Sequence, residues 1–327
     1  MENLTDKIAV VTGAGSGIGR ALTQLLVREG CHVAVCDVNQ SSMEETLALC
    51  DAENPSGVTI TGFACDVSDE SALQKFVEDT RIRHATDHVD LLINNAGING
   101  GGSFIKSPRE EWERTFDICW RGVYLVTRNF LPFLMKSCEG HLVNMSSANA
   151  LRAVLGGHVP HTAYSTAKFA VRGFSESLIH DFRFNAPHVS VSVVMPGHTG
   201  TNIISNSLAI LGANPPDAWT SEDIQNAKRR WKIAGLQDVN RMTDEQVKAH
   251  GQAEIDSMIE FGLPPEDAAK IILDGVKRKH WRILIGTDTQ SLDQLVRESP
   301  EKAYDPDFVD RWREANAGYT QGHEKLD

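Results

Sequence analysis

Tyr164 and Lys168 stand four positions apart within Ala163–Phe184, a stretch that reads as a helix, so both side chains project from one face. Of the four tyrosines in the chain, only this one has lysine at i+4. A phenol at its ordinary pKa near 10 is a poor base at neutral pH. A neighbouring ammonium favours the phenolate and is expected to lower that value. A hydroxyl donor from Ser147, at the end of a predicted strand, would stabilise a substrate oxygen as charge develops on it. The three side chains suit proton transfer at an alcohol or carbonyl oxygen.

A second group of residues suits a dinucleotide. The run Thr12-Gly13-Ala14-Gly15-Ser16-Gly17-Ile18-Gly19 joins an apolar strand to a helix, with glycines spaced as GxxxGxG at 13, 17 and 19. Residues without a Cβ let backbone approach a pyrophosphate, and the next helix start offers free N–H groups and a positive dipole end. Asp37 closes the second strand, 18 residues after Gly19. A carboxylate there accepts from both adenine-ribose hydroxyls and repels a 2′-phosphate. No arginine precedes Ile18 in the turn, so NAD is expected over NADP. Ser41 is the expected cap of the following helix.

The elements that must position these residues follow from two periodicities. Short apolar runs at Lys7–Thr12, His32–Asp37, Val58–Cys65, Val89–Asn94, His141–Ser146 and Val189–Met195 read as strands buried on both faces. Helical patterns lie between them, among them Ile18–Glu29, Ser68–Arg83 and Arg109–Met135. This alternation predicts an α/β fold with a doubly wound, mostly parallel sheet and helices on both faces. After Pro196-Gly197 the pattern weakens. Two exposed helices are expected within 221–234 and 243–260, then a helix from Pro264 to about Lys279 and a strand at Trp281–Gly286. A helix at Ser291–Glu298 and an aromatic stretch, Tyr304–Trp312, form the tail. One domain spanning 1–327 is expected: a cofactor-binding and catalytic core at 5–198, a substrate-binding insertion at 199–262, and a last helix–strand unit with C-terminal helical elaboration at 263–327.

Taken in order, Thr12–Gly19, Asp37, Cys65-Asp66-Val67, Asn94-Asn95-Ala96-Gly97, Ser147, Tyr164-Ser165-Thr166-Ala167-Lys168 and Pro196-Gly197-His198-Thr199-Gly200-Thr201 resemble the short-chain dehydrogenase/reductase family over about residues 5–205. The resemblance implies a Rossmann sheet of about seven strands and, commonly, a tetramer. It implies that Asp66 and Val67 flank the adenine, that Asn95 lies on the adenosine side, and that Thr199 and Thr201 meet the nicotinamide carboxamide; Ala96, Gly97, Pro196 and Gly197 would also bind the cofactor. Tyr164 would be the acid/base, Ser147 would orient the substrate oxygen, and Lys168 would also bind the nicotinamide ribose. Two features depart from the family. Cys119 stands in Phe116-Asp117-Ile118-Cys119-Trp120-Arg121-Gly122-Val123, where the family usually has asparagine. A thiol cannot reproduce the amide's contacts, and Cys119 reads as a buried structural thiol. The interval from Ser147 to Tyr164 is also longer than usual, the extra residues falling in Leu151–Pro160, where His158 and His161 either border substrate or are simple loop residues.

The 327 residues carry 44 acidic and 32 basic side chains, a formal charge of −12. That balance disfavours nucleic acid, which requires clustered Lys and Arg. No apolar run approaches the ~20 residues of a membrane span, and the N-terminus lacks the apolar core of a signal peptide. The six cysteines lack CxxC spacing and read as buried free thiols in a reducing cytoplasm, with no metal site. The expectation is an NAD(H)-dependent oxidoreductase of a secondary alcohol or ketone; Ile203, Ile204, Leu208, Ile210, Leu211 and Trp219 would either form a lid over a bulky apolar substrate or pack as core or subunit interface. Two alternatives stay open. One is an NAD-binding protein weakened by Cys119; the other is an epimerase or dehydratase on the same fold.

Overall fold

The computed structural model describes residues 1–54, 57–155 and 160–316. Seven parallel strands form one sheet: β1 Ile8–Thr12, β2 His32–Asp37, β3 Ile60–Ala64, β4 Leu91–Asn94, β5 Gly140–Met145, β6 Val189–Pro196 and β7 Arg282–Ile285, in the order β3-β2-β1-β4-β5-β6-β7. Val10 pairs with Ala34 on one side and Leu92 on the other. Strand order therefore reverses direction between β1 and β4, where open parallel sheets leave a crevice at their C-terminal ends.

The helices are α1 Gly17–Arg28, α2 Gln40–Ala52, α3 Glu70–Arg83, α4 Arg109–Phe116, α5 Gly122–Leu134, α6 Thr162–Asn185, α7 Ile203–Leu211, α8 Ser221–Ile233, α9 Asp244–Glu260, α10 Pro265–Lys277, α11 Thr287–Glu298 and α12 Phe308–Ala315. Strand alternation divides them. Ala9 and Val11 of β1 join a core with Leu22, Leu26, Ile272 and Val276 of α1 and α10. Ile8 and Val10 face the opposite core, with Phe76, Val126 and Phe130 of α3 and α5. Both faces of β1 are thus buried, which is why its sequence is apolar without alternation.

Several expectations need correction. Arg109–Met135 is not one regular helix, because a π-helical turn at Asp117–Arg121 separates α4 from α5. Asn39, not Ser41, caps α2: it has extended backbone and accepts from the Ser42 N–H at 3.1 Å, whereas Ser41 already lies inside the helix. α8 and α9 are not merely exposed, since Ile224, Trp231, Val239 and Val247 bury one another in a satellite core that also takes Trp219. α7 and α2 complete the helical pattern, and α11 starts at Thr287, before Ser291. Cys138 is exposed, unlike the other five cysteines.

Candidate functional site

A cavity of about 890 Å³ opens at the C-terminal ends of the strands. Its glycine rim is set by close approach. Gly13 has φ of +67°, and a Cβ there would lie 2.7 Å from Ala96 Cα. A Cβ on Gly19 would lie 2.0 Å from the Gly13 carbonyl oxygen, so only glycine permits this strand-to-helix turn. Asn95 braces it, donating from Nδ2 to the Thr12 and Gly13 carbonyls at 3.0 Å each. The Thr12 hydroxyl accepts from the Asn95 and Ala96 N–H groups at 3.0 and 3.1 Å. Thr12 and Gly19 hold the turn from beneath and do not line the cavity; Gly13, Gly15, Ser16, Gly17 and Ile18 do. Ser16 caps α1 without a side-chain bond, which leaves the first-turn N–H groups available at the rim.

Asp37 is fixed by two backbone donors, Gly15 N–H to Oδ2 and Asn39 N–H to Oδ1, each at 2.8 Å. Asp66 lies farther along the wall with Val67. Burial pushes its pKa up, but the Ser68 hydroxyl and N–H and the Arg114 guanidinium together outweigh that and hold it below the usual carboxylate range. Arg114, which lines the cavity too, has no signature in a sequence motif; its role shows only through its 2.5 Å pairing with Asp66 across 48 residues.

The second half of the cavity gathers Ser147, Tyr164 and Lys168. Tyr164 sits in the first turn of α6, and Lys168 lies one turn on, with Nζ 5.6 Å from the phenol ring centre. Ser147 Oγ accepts from the Asn149 N–H at 3.1 Å, and the hydroxyl pulls the pKa of the Tyr164 phenol downward. Lys168 Nζ donates to the Met145 carbonyl at 2.8 Å. Burial raises the phenol's pKa above its ordinary value, against the opposing pull of Ser147. The expected lowering by Lys168 therefore does not prevail, since its ammonium is directed to a carbonyl and is itself disfavoured by burial.

Cys119 lies in the π-helical turn behind this group. Its thiol donates to the Ile98 carbonyl at 3.1 Å and accepts from the Ile98 N–H at 3.4 Å. It is buried and free, in keeping with its reading as a structural thiol. Burial raises its pKa, so it is held as a thiol.

Pro196, Gly197, Thr199 and Thr201 line the cavity beyond β6, as do Ile203, Ile204 and Ile210 of α7. Leu208 is absent from that lining, Leu211 packs into the α3–α5 core, and Trp219 belongs to the satellite core. His161 lines the cavity, and burial pulls its pKa down. His158 lies outside the described residues. Sequence reasoning missed Val309, Trp312, Arg313 and Asn316 of the C-terminal segment, whose only signal was an apolar, aromatic tail.

Residues 7–209 match the family model of the short-chain dehydrogenases. The chain belongs to that family. A Mycobacterium tuberculosis protein named as an oxidoreductase, SadH, is 32% identical over 91% of this chain and 92% of its own length. Human epidermal retinol dehydrogenase 2 is 32% identical over 60% of the chain and 61% of its own. Among solved structures, a short-chain dehydrogenase/reductase from Burkholderia phymatum in complex with NAD matches with a TM-score of 0.71, at 23% identity, over 94% of this chain and 98% of that one. This short-chain dehydrogenase is accordingly an oxidoreductase acting on a small molecule, with a Rossmann-like fold. Among its described residues, no helix is long and apolar enough to cross a membrane.

Proposed function

We propose that this dehydrogenase interconverts a secondary alcohol and a ketone using NAD(H). The observation that carries the reading is the convergence of Ser147, Tyr164 and Lys168 in the cavity that also holds the glycine turn and Asp37. The residues fit a nicotinamide dinucleotide. Besides the rim N–H groups, the buried Thr199 hydroxyl lines the cavity with no hydrogen-bond partner among the described residues, an acceptor–donor suited to a carboxamide. Gly13 to Ile18 would hold the pyrophosphate, Asp37 the adenine ribose, Asp66 and Val67 the adenine, and Lys168 the nicotinamide ribose. Asp37 supports NAD over NADP, because its carboxylate would face a 2′-phosphate. The bound dinucleotide would supply the hydride acceptor or donor, and, when oxidised, a positive charge beside Tyr164.

The chain's own residues manage the proton. In oxidation, Tyr164 Oη takes the alcohol proton; in reduction it returns one to the ketone oxygen. Ser147 Oγ holds that oxygen as charge develops on it. Lys168, anchored on Met145, places positive charge near the phenol and favours the phenolate that accepts the alcohol proton. Burial favours the neutral phenol, so alcohol oxidation should climb as pH rises through the alkaline range, whereas ketone reduction should fall.

Tyr164→Phe removes the proton carrier and keeps the ring. kcat should drop by about 10²–10⁴-fold, with NADH affinity, read by fluorescence titration, nearly unchanged. Near-full activity in this variant would exclude the assignment.

A further inference from the structure

The sequence marks 199–262 as the substrate-binding insertion, yet an element from the C-terminal segment stands at the same cavity. Val309, Trp312 and Arg313 of α12, with Asn316 just beyond it, line the cavity that Tyr164 also lines. α12 is firmly seated. Trp312 Nε1 donates to the Asp288 carbonyl at 3.0 Å, and Asn316 Nδ2 donates to Ser291 Oγ at 2.6 Å. Phe308, fully buried, packs with Ala148 and Leu151 of the loop that begins at Ser147.

Arg152 ties that loop to the C-terminal segment. It is 7% exposed and forms no salt bridge with a carboxylate among the described residues. Its Nε donates to the Ala303 carbonyl at 2.6 Å, another guanidinium nitrogen donates to the Val154 carbonyl, and the group lies over the Phe308 ring at 4.6 Å and the Tyr304 ring at 5.3 Å. The Ala153 N–H donates to Tyr304 Oη at 3.0 Å. From the other side, Ser165 donates to the Ala153 carbonyl at 2.5 Å and Arg172 to the Ala150 carbonyl at 2.9 Å. Ser165 and Arg172 belong to α6, the helix that carries Tyr164 and Lys168. A buried cation without a carboxylate is costly unless hydrogen bonds and ring faces replace water, and here they do.

We propose that α12 is a specificity wall of the substrate pocket, and that Arg152 is a positioning residue strapping the Ser147–Leu155 loop between that wall and the catalytic helix. With Arg313 paired to Asp310 and Asn316 held by Ser291, the lining Val309, Trp312 and Leu155 selects a ketone or alcohol with a bulky apolar substituent. The substrate class rests on the carbonyl–alcohol reading above; the strap does not.

The test uses full-length enzyme with NADH and two ketones, butan-2-one and 4-phenylbutan-2-one. Val309→Trp should lower kcat/KM for the phenyl ketone about tenfold or more, mainly through KM, while butan-2-one and NADH affinity change by about twofold at most. Binding of anilinonaphthalene sulfonate to the NADH complex, an apolar probe independent of turnover, should weaken in parallel. Arg152→Met should speed amide exchange at residues 149–155 but not in β1, and raise KM for the phenyl ketone more than it lowers kcat; Arg152→Lys should recover part of both. An unchanged ketone ratio, or unchanged dye binding in Val309→Trp, overturns the wall. Unchanged exchange in a folded Arg152→Met protein overturns the strap. If the wild-type enzyme reduces neither ketone, the carbonyl reading fails, while dye binding and exchange still judge the wall and strap.

Discussion

At Cys119, one side chain holds both polar groups of a single residue, Ile98, whose own neighbour Gly97 lies at the cavity. A Cβ on Gly97 would sit 3.5 Å from Lys168 Nζ and 3.7 Å from Cys119 Sγ, so the thiol, the Gly97–Ile98 backbone and the ammonium form one contiguous cluster. Loosening Ile98 should therefore disturb the placement of Lys168 as well as the core. Cys119→Ala leaves two backbone groups without a side-chain partner and a small void, costing about 1–3 kcal/mol. Its kcat at saturating NADH should fall severalfold, with Cys119→Ser retaining more activity because a hydroxyl still donates and accepts. Urea midpoints measured beside kcat separate the two effects: an unstable Cys119→Ala enzyme with unchanged kcat would show that the clamp serves folding alone. The unusual residue was legible from the sequence, as were Ser147, Tyr164 and Lys168. Its partner was not, because Ile98 lies 21 residues away and the contact exists only after β4 and the π-helical turn meet.

Elements differed in legibility for the same reason. Strands were readable to within two residues, the inner ones because burial on both faces writes a nearly unbroken apolar run into them, whereas the edge strands β3 and β7 are only partly buried. α7 carried no comparable signature: Ile203, Ile204 and Ile210 line the cavity while Leu211 packs into the core, so its apolar residues do not form one simple stripe. α8 and α9 looked exposed because their buried residues cover chiefly each other. α7 is fastened at two points, Asn206 Nδ2 to Ser16 Oγ at 3.0 Å and the Asn99 N–H to Ser207 Oγ at 2.8 Å. The first bond joins the helix directly to the glycine rim, so opening the rim requires breaking it. Asn206→Ala should speed NADH dissociation severalfold in stopped-flow displacement, and should raise kcat if release limits turnover. An unchanged dissociation rate would mean that Ser207 alone secures the helix.

Across the whole molecule, a charge of −12 surrounds a site proposed to take a polyanion. The local field decides such a case, since exposed charges beyond about 8–10 Å are largely screened at physiological salt. At the rim the local groups are N–H donors and a helix N-terminus, except where Asp37 stands. Both Asp37 oxygens are held by backbone N–H groups, so the carboxylate has little freedom to turn away from an added phosphate. Arg20, the cation nearest the glycine turn in sequence, is engaged by the Gly15 carbonyl at 2.7 Å and by Glu45 at 2.7 Å, which leaves it poorly placed to compensate. Discrimination should therefore appear in binding, without knowledge of the substrate. NADH at a hundredfold above its Kd should stabilise the fold by about 2.7 kcal/mol and raise Tm by roughly 4 °C. NADPH at the same concentration should give a distinctly smaller shift, and Asp37→Ser should narrow the gap by removing repulsion, although it also releases the Gly15 and Asn39 N–H groups. Equal shifts for the two dinucleotides in the wild-type protein would show that Asp37 does not set the choice.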